Sequence, residues 1–175
     1  MTTQTLAAAL ERVGSVLKRR PEAGLHDDDP AAAHWQGGTR VVTHHANGTQ
    51  LPTDMPTEIG GSGGQVTPGW LFRAGFASCA ATSIVMAAAT EGIELSALEV
   101  RASSRSDVRG LLGMVGADGE SVFAGPGDVQ LHVAIAAAGV GAERLRALVE
   151  AAVRCSPIPS AVRQATPFAL LVDVG

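Results

Sequence analysis

The chain contains two cysteines in different settings. Cys79 lies inside an apolar run from residue 69 to residue 86, whereas Cys155 ends an amphipathic stretch and precedes Ser156 and Pro157. A thiol reacts as the thiolate, and two thiols that a fold brings together can pass between dithiol and disulfide. Because the two cysteines are far apart in sequence, only the fold can pair them. Their residue type and order raise the hypothesis of a redox couple.

A two-step peroxidase cycle would use both thiols. Cys79 would attack the O–O bond of a peroxide and become a sulfenic acid, and Cys155 would condense with it to a disulfide that an external thiol reduces. Cys79 lies about three turns into a helix that begins near Pro68, beyond the reach of the helix dipole. A cationic side chain must therefore stabilise the thiolate.

Arg40 is our candidate for that cation. No other Lys or Arg occurs from residue 21 to residue 72, and Arg40 lies on a predicted hairpin beside a Gly-rich loop. Arg73 is closer in sequence to Cys79, but a separation of six residues rotates it by about 240° around a helix, onto another face. We therefore rank Arg40 above Arg73.

Other chemistries find little support in the sequence. His44 and His45 are adjacent on a predicted strand and would point to opposite faces, so we predict no metal site. The loop from 60 to 64 lacks the Lys-Ser/Thr of a phosphate loop, and no Gly-x-Ser-x-Gly motif occurs, so we predict no cofactor and no hydrolase. The alternative for the thiols is that both pack as small hydrophobic side chains.

Composition and charge narrow the partners and the compartment. The 175 residues carry a net charge of −4 without a basic cluster that could follow phosphates, so we expect no nucleic acid. The cluster from Lys18 to Arg20 follows apolar residues, the reverse of a signal peptide, and predicts a cytoplasmic protein in which thiols are kept reduced. With 46% hydrophobic and 17% charged residues, the chain is expected to bury surface against a second copy of itself.

The patterning predicts an α+β domain. We assign residues 1–25 to an N-terminal helical extension and 26–175 to a single domain, because Pro21 and an acidic stretch follow the first amphipathic helix. The predicted elements are a helix over 3–20, two strands between 33 and 51 joined at Asn47-Gly48, a loop over 52–68, a helix from Pro68 to about 91, a loosely alternating stretch over 98–107, a strand over 129–135, a helix through 145–153 and a strand over 168–174.

The helix that carries Cys79 is the most apolar segment. No charged residue occurs from Ala74 to Thr90, yet this stretch is shorter than the roughly 20 strongly apolar residues of a membrane span and contains Ser78, Thr82 and Ser83. We therefore predict a buried central helix and no membrane contact.

The residues from Thr67 to Cys79, together with the sequence from Ala152 to Pro157, resemble the two cysteine motifs of the OsmC/Ohr family of thiol peroxidases. The second motif of that family is normally Cys-Pro, and here Ser156 separates Cys155 from Pro157. The resemblance extends over about residues 33–175. It implies an OsmC-like α+β fold, with antiparallel sheets around a long buried central helix, in an intertwined homodimer. It also implies reduction of organic hydroperoxides at the expense of an external thiol.

The family's site residues transfer to this chain as follows. Cys79 corresponds to the peroxidatic cysteine, Cys155 to the resolving cysteine, and Arg40 to the arginine that activates the thiol. The family's acidic residue after the helix-entry proline corresponds to Gly69, so Glu58 or Asp54 of the loop is the candidate substitute. Gly69 also leaves a second hypothesis open, a non-catalytic OsmC-fold protein that binds a small apolar ligand at the dimer interface.

Overall fold

The computed structural model describes residues 2–164 and 166–175 and has an α+β fold. Two short 3-10 turns, Pro21–Gly24 and Thr57–Ile59, accompany the helices and strands. The other elements, in chain order, are α1 Thr3–Arg19, β1 Ala32–Trp35, β2 Val41–His44, β3 Gln50–Thr53, α2 Pro68–Thr90, β4 Leu95–Arg105, α3 Val108–Leu111, β5 Gly127–Ala137, α4 Ala142–Arg154 and α5 Pro157–Arg163. The predicted fold class is confirmed.

The first sheet contains the predicted hairpin. Strands β2 and β3 pair antiparallel, and the turn between them is closed by Asn47, whose side-chain oxygen accepts from the N–H of Thr49 at 2.9 Å. Gly48 adopts a φ of 89°, a left-handed conformation that glycine reaches without steric cost. Strand β1 adds to the other edge of β2, again antiparallel, and completes a three-stranded sheet.

Helix α2 is the central helix, and local chemistry defines both of its ends. Pro68 occupies its first position, where the missing N–H costs nothing, and Gly92 follows its end with a φ of 69°. Phe76, Ala80, Ile84 and Ala88 recur every four residues and form one buried stripe. Ala89 is buried as well, and the other residues of the helix are half-buried or exposed within a single chain.

By length and composition alone, α2 would also suit a membrane span. Its most apolar window has a mean hydropathy of 1.5, and 22% of that window is buried inside the chain. The core helix of a soluble protein passes the same test, and the stripe of Phe76, Ala80 and Ile84 already lies in this chain's own core. Length and hydropathy therefore do not decide between a lipid and a protein environment for the exposed faces.

The C-terminal end of α2 packs into a small apolar core. Ala88 and Ile93 form a cluster with Leu145 and Leu148 of α4, and Ile135 of β5 is among the residues packed against it. An ion pair of 2.6 Å joins Glu91, the residue that follows α2, to Arg144 of α4 at the surface. Strands β4 and β5 form a two-stranded sheet.

The chain divides into two compact units. The first unit comprises Met1–Leu10, Gly75–Arg101 and Leu131–Gly175, and the second comprises Glu11–Ala74 and Ala102–Gln130. The predicted division of the chain into 1–25 and 26–175, like the homodimer, stays a prediction.

The structure differs from the sequence-based prediction in the C-terminal region. The predicted strand over 168–174 is wrong, because residues 166–175 have no regular secondary structure and Phe168 is 86% exposed. An alternating apolar pattern gives a strand only where a neighbouring strand accepts its hydrogen bonds. Helix α5 was not predicted from the sequence: α4 ends at Arg154, and Pro157 opens α5 as its first residue.

Candidate active site

The Cys79 sulfur has two polar neighbours. The Oγ atom of Ser156 lies 3.2 Å from Sγ, and the backbone N–H of Ile158 donates to Sγ at 3.5 Å. Cys79 itself is half-buried on α2. When the thiol is ionised, both neighbours can serve as hydrogen-bond donors to the negatively charged sulfur.

The break between α4 and α5 supplies both donors. Helix α4 ends at Arg154, Cys155 is its C-cap, and Ser156 is extended before Pro157 starts the next helix. The N–H groups of a first helical turn have no acceptor within the helix, so the N–H of Ile158 is available for the sulfur. Ser156 is fully buried, and its hydroxyl is held against Cys79.

Both cysteines line one cavity in the first unit. Its volume is about 780 Å³. Leu10 of α1 forms part of its wall, opposite residues of α2, α4 and α5. Among the residues that the structure describes, none that lines this thiol cavity is charged.

Cys155 is exposed, and both cysteines are free thiols. The side chain that contacts the Cys79 sulfur belongs to the next residue, Ser156. Sequence reasoning missed Ser156 because the second motif was aligned on its cysteine. An alignment on the following proline would have placed Ser156 at the motif's cysteine position and identified it. The resolving role of Cys155 stays a prediction.

Arg40 and Glu58 belong to the second unit and are exposed. Arg40 directly precedes β2, at the end of a turn in which its N–H donates to the carbonyl of Gly37 at 3.1 Å. Glu58 lies in the 3-10 turn Thr57–Ile59 and accepts from the hydroxyl of Thr57 at 3.3 Å. In the part of the chain that the structure describes, the Arg40 guanidinium forms no ion pair. Their assigned roles stay predictions.

Asp54 holds the loop segments that carry these two residues. It is 1% exposed and accepts hydrogen bonds from the hydroxyls of Thr39 and Ser62 and from the N–H groups of Ser62 and Met55. The Ser62 hydroxyl, followed by that of Thr39, keeps the pKa of Asp54 well below its usual range. Asp54 therefore fixes the backbone next to Arg40 and the loop around Glu58.

Gly61 explains why the loop closes tightly over Asp54. A Cβ atom at this position would stand 1.8 Å from the carbonyl oxygen of Met55, so any other residue would displace the backbone. The sequence indicated only that this Gly-rich segment is a loop. In the structure, glycine at position 61 allows its backbone to lie directly against the backbone of Met55.

The sequence matches the family model described as OsmC-like protein over residues 61–170, which is more than half of the chain and includes Cys79, Cys155 and Ser156. The chain belongs to the OsmC-like family. Helix α1 and the first sheet precede the matched residues. No curated protein sequence matches the chain.

Solved structures of OsmC-like proteins share the fold. An organic hydroperoxide resistance protein OsmC from Legionella pneumophila, also described as a predicted redox protein, is 26% identical with a TM-score of 0.55 and covers 79% of this chain and 91% of its own. A putative organic hydroperoxide resistance protein from Vibrio cholerae, with captopril bound in one of the active sites, is 26% identical with a TM-score of 0.54, covering 79% and 88%.

A more distant OsmC-like protein, from Mycoplasma pneumoniae, has a higher TM-score. It is 13% identical with a TM-score of 0.65 and covers 79% of this chain and 89% of its own. At this identity the likeness concerns the fold alone. The OsmC-like architecture is therefore common to relatives whose sequences have diverged widely.

Proposed function

We propose that this protein is a cysteine-based thiol peroxidase that reduces organic hydroperoxides in defence against oxidative stress. The observation that carries the proposal is the thiol of Cys79, which has two hydrogen-bond donors at its sulfur and opens to an apolar, uncharged cavity. Membership in the OsmC-like family, with relatives named organic hydroperoxide resistance proteins, supports it.

In the first step, the Cys79 thiolate attacks one oxygen of the peroxide. An S–O bond forms as the O–O bond breaks, and the alkoxide leaves and takes up a proton to become the alcohol. The sulfur is thereby oxidised to a sulfenic acid by two electrons. Ser156 and the N–H of Ile158 stabilise the negative charge on the sulfur before the attack.

In the second step, the thiolate of Cys155 attacks the sulfenic sulfur. A disulfide forms and hydroxide leaves, protonated to water. Two external thiol groups then reduce the bridge in two exchanges and form a disulfide with each other, which returns both cysteines to thiols. Arg40 is the proposed activating cation and Glu58 its proposed anchor.

The cavity chemistry favours organic hydroperoxides over hydrogen peroxide. The described residues of its lining carry no charge, and its volume of about 780 Å³ lies within the range of small-molecule sites. An alkyl or aryl group gains free energy by leaving water for such a site, whereas hydrogen peroxide has no apolar group to bury.

We further propose a cytoplasmic homodimer. Apolar side chains of α2 are exposed in the single chain: Val85 is 41% exposed and Met86 is 40% exposed. A second copy of the chain would cover these apolar side chains in the way the family resemblance implies, without membrane or nucleic acid.

Gly69 favours a second candidate, a non-catalytic protein that binds a small apolar ligand at the dimer interface. Intact mass after one equivalent of tert-butyl hydroperoxide separates the two. The peroxidase predicts loss of two hydrogens and a bridge between Cys79 and Cys155, whereas C155S should give a sulfenic acid that dimedone traps at Cys79. Unchanged mass with the peroxide unconsumed would contradict the peroxidase and support the binding protein.

A further inference from the structure

A second apolar cavity lies entirely within the second unit, separate from the thiol cavity. Its volume is about 590 Å³, and it lies between the loop around the 3-10 turn, the start of α2 and helix α3. Val108 and Leu111, which line it, are 50% and 58% exposed. Apolar side chains around an accessible cavity favour a ligand with an apolar body.

Two charged residues line this second-unit cavity, and only one is neutralised. Asp107 forms a bidentate salt bridge with Arg109, in which the Nη2 atom of Arg109 lies 2.6 Å from the Asp107 carboxylate. Arg73 is half-buried and makes one long hydrogen bond, 3.4 Å, to the hydroxyl of Ser104. Within the described residues, no carboxylate forms an ion pair with Arg73, so the cavity carries an unbalanced positive charge.

Gly69 explains why Arg73 has no carboxylate partner. It stands one helical turn before Arg73 and also lines the cavity, and a Cβ built on it would be 3.8 Å from the Nη1 atom of Arg73. An acidic side chain at position 69 would therefore pair with this guanidinium at the favourable spacing of four residues. With glycine there, that space is open to the anionic group of a ligand.

We propose that the second-unit cavity binds an apolar monocarboxylate, whose carboxylate pairs with Arg73 beside Gly69 and whose apolar body lies against Leu111 and its neighbours. The guanidinium offers two parallel N–H donors that match the geometry of a carboxylate. Among the described residues, the two cavities thus differ in chemistry, since the thiol cavity has no charged lining residue and the second cavity has one cation without a carboxylate partner.

Calorimetric titration of the full chain with decanoate tests this site, with decan-1-ol as the neutral probe. We expect decanoate to bind at least tenfold more tightly than decan-1-ol and R73Q to weaken decanoate binding at least tenfold. R73K should weaken it less than R73Q, because lysine keeps the positive charge but not the two parallel donors. G69E should weaken it as R73Q does, because it supplies an internal carboxylate while leaving Arg73 in place.

A matched pair of variants locates the site. Ala124 lines the second-unit cavity and Ala151 the thiol cavity, and both are exposed, so a tryptophan fits at either position without disturbing a core. We expect A124W to abolish decanoate binding and A151W to leave it unchanged. Equal binding by wild type and R73Q, loss of binding in A151W but not A124W, or no binding to the wild type would overturn the proposal.

Discussion

Replacement of Ser156 by alanine should slow every reaction of the Cys79 thiolate. The Ser156 hydroxyl lies 3.2 Å from Sγ, and its removal leaves the N–H of Ile158 as the remaining donor. A hydrogen bond to a charged group contributes about 1.5–3 kcal/mol. Each 1.36 kcal/mol corresponds to about a tenfold change in rate, and because sulfur is a weak acceptor we expect the lower end, about tenfold.

The rate of Cys79 alkylation by iodoacetamide at pH 7, measured in C155S and in C155S/S156A, gives this factor directly. Ser83 offers a matched control, because its hydroxyl lines the same cavity but donates to the Cys79 carbonyl oxygen at 3.0 Å and not to the sulfur. C155S/S83A should therefore react at the C155S rate. Equal rates in C155S and C155S/S156A, with both proteins folded, would refute the role assigned to Ser156.

Three further predictions concern substrate choice, acid stability and the core. L10W narrows the thiol cavity from the α1 side, so it should slow the reduction of cumene hydroperoxide about tenfold and leave the rate with hydrogen peroxide unchanged. Stopped-flow measurement of both rates tests this, and an equal effect on the two substrates would exclude Leu10 from substrate contact. The pKa of Asp54 is lower in the folded protein than its value of about 3.9 in the unfolded chain, so the ionised carboxylate stabilises the folded state. This stabilisation is complete above about pH 3.9 and is lost as the pH falls toward the pKa of the folded state. Urea unfolding of D54N should therefore show a flatter decline below pH 4 than the wild type, and parallel declines would contradict this. L148A truncates a side chain that is 1% exposed and should lower the free energy of unfolding, measured in urea, by about 2–5 kcal/mol. A decrease of less than about 1 kcal/mol would show that neighbouring side chains repack to fill the space that Leu148 leaves.

Local signals in the sequence were enough to predict much of the fold. Pro68 and Gly92 delimit α2, and Asn47-Gly48 closes the β2–β3 hairpin, because each of these residues acts through its own backbone geometry. The strand predicted over 168–174 failed for the opposite reason. Its alternation is a local signal, but pairing requires a partner strand that the pattern does not encode.

The candidate site was only partly predictable from the sequence. Cys79 and Cys155 stand out by residue type, and both line one cavity. Ser156 is an ordinary residue in sequence and becomes important only because the break between α4 and α5 directs it at Cys79. Asp54 likewise was one of two acidic candidates in a loop until its hydrogen bonds to Thr39 and Ser62 identified it as the residue that orders the loop.

The most direct test of the central claim is the rate at which the reduced protein consumes cumene hydroperoxide with a dithiol reductant present. The proposed peroxidase predicts turnover by the wild type, faster than with hydrogen peroxide, and loss of turnover in C79S. Consumption by C79S at the wild-type rate, or none by the wild type, would contradict the assignment of Cys79 as the peroxidatic cysteine.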